Sequence, residues 1–111
     1  MPDLADQPIQ AINKDTARFN QNELTTFLSQ LSLWELSPDQ NIIFREFRFS
    51  NYYQTISFVN ALVWIAHQAD HHPDLEVGYN RCLVKYSTHT INALSINDFI
   101  CAARIDKLDV A

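Results

Sequence analysis

The chain has 111 residues, 47% of them apolar and 19% charged, the balance of one globular domain rather than of a disordered chain. A net charge of −5 argues against the basic face that phosphate-backbone recognition needs, so no nucleic-acid partner is expected. The single glycine, Gly78, excludes the glycine-rich loops that cradle nucleotide cofactors.

A chain of this size buries roughly 60–70% of its extended surface, enough for one core without metal or disulfide staples. Cys82 and Cys101 match no zinc spacing and read as small buried residues of a reducing compartment. Met1–Asp15 is polar and mixed in charge, with neither a signal-like apolar region nor a membrane span. No membrane association is therefore expected, and the cytoplasm is the expected location.

Residues 1–19 contain Pro2 and Pro8 and show no sustained period; they are expected to be a mobile N-terminal extension to a single domain over 20–111. Asn20 and Glu23 make a capping-box start, after which Leu24, Phe27, Leu28 and Leu31 predict a short amphipathic helix. Leu33–Leu36 reads as a short strand and Ser37-Pro38-Asp39 as a turn. In the strand over 41–50, Ile42 and Phe44 lie on one parity and Phe47 and Phe49 on the other. That predicts a bulge near Arg45–Glu46, or else a strand apolar on both faces.

Asn51 and Gln54 open the longest periodic segment, to about Ala69. Its predicted buried stripe is Tyr52, Ile56, Val59, Val63 and Ala66, widened by Phe58, Leu62 and Ile65. Trp64 falls on the opposite side near Tyr53 and Asn60, covered by a loop or part of a subunit contact. Pro73 forbids continuation of the helix. Two strand-like runs, 75–79 and 81–88, follow around a turn, and Cys82, Val84, Tyr86 and Thr88 alternate with more polar residues. Ser95 and Asp98 cap a last helix carrying Ile96, Phe99, Ile100 and Ala103. The order α-β-β-α-β-β-α predicts an α+β fold: a four-stranded antiparallel sheet with three helices packed on one face.

All four histidines, His67, His71, His72 and His89, lie close together in the sequence, around a helix end and a strand end. Histidine moves protons near neutrality. Three readings compete on the residues alone. His67 and His71, at i and i+4, could share a metal with Asp70 or His89, although no His-Glu-x-x-His arrangement is present. The histidines could merely cap carbonyls on a solvated surface. Or they could perform metal-free acid–base catalysis on a small polar heterocycle. Nucleophilic catalysis has little support: no Gly-x-Ser-x-Gly elbow is present, and Cys82 sits on the apolar parity of a strand.

The run His67-x3-His71-His72-Pro73-x5-Tyr79-x9-His89-x8-Asp98 resembles the signature of pterin-4a-carbinolamine dehydratases. The likeness extends through Trp34, Phe44-x-x-Phe47-x-Phe49 and Ser87-Thr88-His89, over about residues 20–105. It implies a fold like the one predicted, assembled as a homodimer or homotetramer. It also implies that His71 and His72 line a pterin site in acid–base roles with His89 opposite. Asp70, Pro73, Ser87 and Thr88 match substrate-binding positions. Asp98 reads mainly as a helix cap, with catalysis or the orienting of His89 as alternatives. The implied reaction removes water from 4a-hydroxytetrahydrobiopterin, giving quinonoid dihydropterin in tetrahydrobiopterin recycling, without metal or redox cofactor. A non-catalytic pterin-binding or coactivator-like dimerisation module is the alternative from another class. Leu75, Val77-Gly78 and Ala93-Leu94 depart from the usual pattern, at positions the resemblance places beside the pterin cleft.

Overall fold

The computed structural model describes residues 3–108. Three α-helices, α1 (Gln21–Leu28), α2 (Tyr52–Ala69) and α3 (Ile96–Asp106), and four strands, β1 (Glu35–Leu36), β2 (Ile43–Arg48), β3 (Asp74–Val77) and β4 (Arg81–Tyr86), follow in the order α-β-β-α-β-β-α. The strands form one antiparallel sheet in the order β1-β2-β4-β3, and the helices cover one face of it. This is the α+β architecture expected from the hydrophobic pattern. Along β4 the inward side chains Cys82, Val84 and Tyr86 are fully buried, as period-two alternation requires.

Helix starts follow local chemistry. Asn20 and Glu23 form a reciprocal capping box at α1, Asn51 accepts from the Gln54 N–H at α2, and Ser95 and Asp98 form a second capping box at α3. At the other end of the sheet, Leu33 has φ 65°. This left-handed residue delays β1 until Glu35 and leaves Leu33 exposed while Trp34 turns inward.

Two expectations are corrected by tertiary structure. β2 carries no bulge: Ile43 to Arg48 pair residue for residue with Tyr86 to Arg81. Its inward parity is Ile43, Arg45, Phe47 and Phe49, so the phase never slips. Arg45 occupies the apolar slot because its charge is met inside. Its Nη1 donates to Asp106 Oδ1 (2.8 Å) and Ser32 O (3.0 Å), and the guanidinium lies 4.2 Å from the Phe47 ring centroid. Trp34 Nε1 donates to the same Asp106 oxygen at 2.7 Å. In α2 the buried stripe is Thr55, Phe58, Leu62, Ala66 and Ala69, while Tyr52 and Val63 are half exposed. Thr55 can face inward because its hydroxyl lies 2.9 Å from both Asn51 O and Tyr79 O. Trp64 and Tyr53 are exposed on the other side.

Residues 3–19 lie against the domain: Leu4 is buried in a 3-10 turn (Leu4–Asp6), and Phe19 packs on Phe27 and Phe99. Arg104 of α3 donates to Ala5 O (3.2 Å) and Gln7 O (2.8 Å). These contacts use backbone carbonyls and isolated apolar residues, which leave no periodic trace.

Asp106 thus joins α3 to β2 and to the approach of β1. Asp106→Ala should lower stability by about 2–4 kcal/mol, because it strands a part-buried guanidinium and an indole N–H. Urea unfolding of the two proteins, compared at equal slope, measures this.

Candidate functional site

The site begins where α2 must stop. Pro73 excludes helix at the residue before it, and the chain turns at Asp70, with φ 49° and ψ 43°. The Asp70 N–H reaches Ala66 O and His67 O, and the His71 N–H reaches Ala66 O at 3.1 Å, a Schellman-type ending. Left-handed conformation in a residue other than glycine costs about 1–2 kcal/mol, and aspartate tolerates it better than most.

The reversal lays the His71 ring over the end of β4. It stacks on the Tyr86 ring at 5.2 Å and 16°, and the Tyr86 hydroxyl donates to the His71 carbonyl at 3.1 Å. Burial pushes the Tyr86 hydroxyl far above the ordinary phenol range, so it stays a donor.

Behind His71 lies a fully buried carboxylate, Asp98. Its Oδ1 is 2.5 Å from His71 Nε2, and its Oδ2 accepts from the Ser95 N–H (2.9 Å) and the Thr88 hydroxyl (2.7 Å). Thr88 Oγ1 also lies 2.7 Å from Ser95 Oγ. With the one Thr88 proton given to Asp98, Ser95 must be the donor in that pair, so donation runs Ser95 to Thr88 to Asp98. Facing the carboxylate, Nε2 is the ring nitrogen that donates, which leaves Nδ1 for other work.

Thr88 also bridges to Ala93, with its N–H 2.9 Å from Ala93 O, across a short loop in which Asn92 has φ 49°. That loop contains a 3-10 turn (His89–Ile91) and leaves His89 exposed at the lip of the site.

A cleft of about 210 Å³ is lined by Asp70, His71, His72, Ser87, Thr88, His89 and Thr90. It brings together every expected site residue except Pro73, which ends the helix, and Asp98, which stands behind His71. Asp98 caps α3 as expected, but its imidazole partner is His71 rather than His89. The loop after β4 carries His89 to the lip, whereas the Schellman turn brings His71 down onto α3. His67 is exposed outside this lining, its ring centroid 6.1 Å from that of Trp64. Among the described residues no three His, Cys, Asp or Glu side chains gather as a metal site. Leu75, Val77, Gly78, Ala93 and Leu94 do not line the cleft; the first three belong to the β3–β4 hairpin.

A second lobe of about 400 Å³ shares Asp70, His71, Thr88 and Thr90 with the first and adds Ile9, Gln10, Ile12, Ala69 and Asn97. Sequence reasoning missed Thr90, Asn97 and residues 9–12, which carry no motif and lie far apart in the chain.

Residues 17–108 match the family model described as pterin 4 alpha carbinolamine dehydratase. A Legionella pneumophila (strain Corby) protein is 49% identical over 107 residues, covering 96% of this chain and 95% of its own length. One from Nitrosomonas eutropha is 50% identical over 107 residues, covering 96% of this chain and 93% of its own length. Both carry the provisional name pterin-4-alpha-carbinolamine dehydratase. Among solved structures, a Brucella melitensis transcriptional coactivator/pterin dehydratase superposes with a TM-score of 0.77 at 27% identity, covering 80% of this chain and 95% of that one. A pterin dehydratase-like protein identified as a RuBisCO assembly factor gives 0.60 at 25% identity, covering 68% and 87%. The fold is that of a pterin-dehydratase class of protein. This chain belongs to the pterin 4 alpha carbinolamine dehydratase family.

Thr88→Val should cost about 1–3 kcal/mol, since it removes one donor from a buried carboxylate and the acceptor for Ser95. Thr88→Ser should recover most of the loss. Thermal or urea unfolding of the three proteins checks both.

Proposed function

We propose that this protein dehydrates a 4a-hydroxytetrahydropterin, 4a-hydroxytetrahydrobiopterin being the fitting substrate, by histidine acid–base catalysis. The observation that carries the reading is His71 held against buried Asp98 at a cleft shared with His72 and His89. In the reaction the C4a–oxygen bond breaks with the push of the N5 lone pair, a proton joins the departing hydroxyl, and a ring-nitrogen proton is lost. Water and quinonoid dihydropterin result. His71 is the group suited to take the ring-nitrogen proton, because Asp98 stabilises the imidazolium that forms. His72 and His89 are solvent-exposed and suited to protonate the hydroxyl and re-equilibrate with water. Asp70, Ser87 and Thr88 offer polar groups to the pterin edge, and Pro73 holds the turn. The substrate is intrinsically labile, so proton transfer alone can supply the acceleration, without metal or redox cofactor.

The role that follows is regeneration of the pterin after aromatic amino-acid hydroxylation, in the cytoplasm. Among the described residues no helix is long and apolar enough to cross a membrane. A second reading, that the chain acts as a non-catalytic interaction module, is favoured by one observation. Tyr53 and Trp64 are 81% and 60% exposed on one side of α2, a surface suited to a homodimer or homotetramer contact.

Purified protein should accelerate the decay of chemically generated 4a-hydroxytetrahydropterin, equally with and without chelator, followed by absorbance. His71→Ala and His89→Ala should each reduce that acceleration by about 10²–10⁴-fold. No acceleration by the unaltered protein would leave the interaction module as the better account. Chelator sensitivity would point to a metal.

A further inference from the structure

One wall of the second lobe of the cleft is built by residues 9–12, a segment that the family model, matched over 17–108, does not include. We propose that residues 9–12 form the wall of a subsite for the substituent on carbon 6 of the pterin, and that Ile12 selects among pterins by the size of that group. The inference rests on the pterin reading of the His71 cleft.

Ring chemistry gives the direction. In a pterin, carbon 4a and carbon 6 flank N5, so a substituent on carbon 6 emerges two bonds from the reacting carbon. A carbon 4a held at His71 therefore sends that substituent to where the lobes meet, since His71, Asp70, Thr88 and Thr90 line both. The lobe of about 210 Å³ holds the three candidate acid–base histidines and suits the reacting ring. The lobe of about 400 Å³ remains for what the ring carries. Its lining is mixed in the way a short hydroxylated alkyl chain requires: Ile9, Ile12 and Ala69 are apolar, and the Gln10 and Thr90 side chains are polar.

The wall is held in place rather than draped. The Gln10 N–H donates to Asn97 Oδ1 and Asn97 Nδ2 donates to Gln10 O, both at 2.8 Å. Asn97 is itself buried and adjoins Asp98 in the first turn of α3. One helix end thus carries both the carboxylate behind His71 and the clamp on the opposite wall. Ile9 packs against the core, whereas Ile12 is half-buried, lines the lobe and is not part of the packed core. Ile12 can therefore be changed with little effect on folding.

Two measurements test this with stable ligands, 7,8-dihydrobiopterin, which carries a dihydroxypropyl group, and 6-methyl-7,8-dihydropterin. Ile12→Trp should raise the Kd for the first by about tenfold or more relative to its effect on the second, as overfilling a packed site does. Ile12→Cys offers a route that does not depend on a bulky side chain being accommodated. Burial pushes the Cys82 and Cys101 thiols up to about 11, so the new thiol is the reactive one in the native protein. Saturating 7,8-dihydrobiopterin should slow its alkylation by about fivefold, because a seated ligand buries most of its surface. The methyl compound should protect much less. Binding of both pterins with equal effects of Ile12→Trp and equal protection of Ile12→Cys overturns the subsite while leaving the pterin reading intact. Selective effects on binding without accelerated dehydration would support the subsite and sink the dehydratase reading. Binding of neither pterin contradicts both.

Discussion

The carboxylate of Asp98 is the constraint on which the site depends. An unpaired charge at that depth would cost several kcal/mol. It is tolerated because three separate parts of the chain converge on it. The start of α3 supplies the Ser95 N–H and a favourable dipole, the end of β4 supplies the Thr88 hydroxyl, and the turn after α2 supplies His71. None of these can shift without leaving an oxygen short of a donor. The need to satisfy one buried anion therefore locks together the helix end, strand end and helix start that frame the cleft. The same need makes Nε2 the donating nitrogen of the imidazole that faces it.

That convergence explains why strain is placed where it is. Asp70 adopts a left-handed conformation so that α2 can end abruptly and deliver His71 to α3 and Tyr86. The Tyr86 ring supports one face of the imidazole while its hydroxyl holds the backbone behind it. The imidazole is thus fixed by a stack, a hydrogen bond to a carboxylate and a carbonyl contact. His72 and His89 stay at the exposed rim, where exchange of protons with water is fast.

Much of the fold was legible because its signals are local. Capping boxes at Asn20 and Ser95, the stop at Pro73 and the alternation of Cys82, Val84 and Tyr86 depend on neighbours within a few positions. What failed was tertiary. Arg45 looked like a break in the inward parity of β2, because nothing nearby announces that Asp106, 61 positions away, will meet its charge. Thr55 is missing from the predicted stripe because nothing local announces the Tyr79 carbonyl that meets its hydroxyl. Within the site, the histidines were seen to lie close together in the sequence, and the grouping of His71, His72 and His89 with Ser87 and Thr88 was implied by the family resemblance of the wider motif. The pairing of Asp98 with His71 instead of His89 was not, since both lie at element ends and only the turn geometry chooses between them. Residues 9–12 were unreadable for the same reason: Asn97 holds them through the Gln10 backbone, which every residue has.

Under the proposed function, proton transfer to and from a pterin is centred on one imidazole and one buried carboxylate, His71 and Asp98. The most direct measurement is the rate at which Asp98→Asn accelerates breakdown of a 4a-hydroxytetrahydropterin, with near-UV circular dichroism confirming that α3 and the cleft keep their packing. An amide can still accept at the helix start but cannot stabilise the imidazolium as a carboxylate does. Acceleration should fall by about 10²–10⁴-fold in a folded protein. A folded Asp98→Asn protein as fast as the unaltered one would contradict the proposed proton transfer.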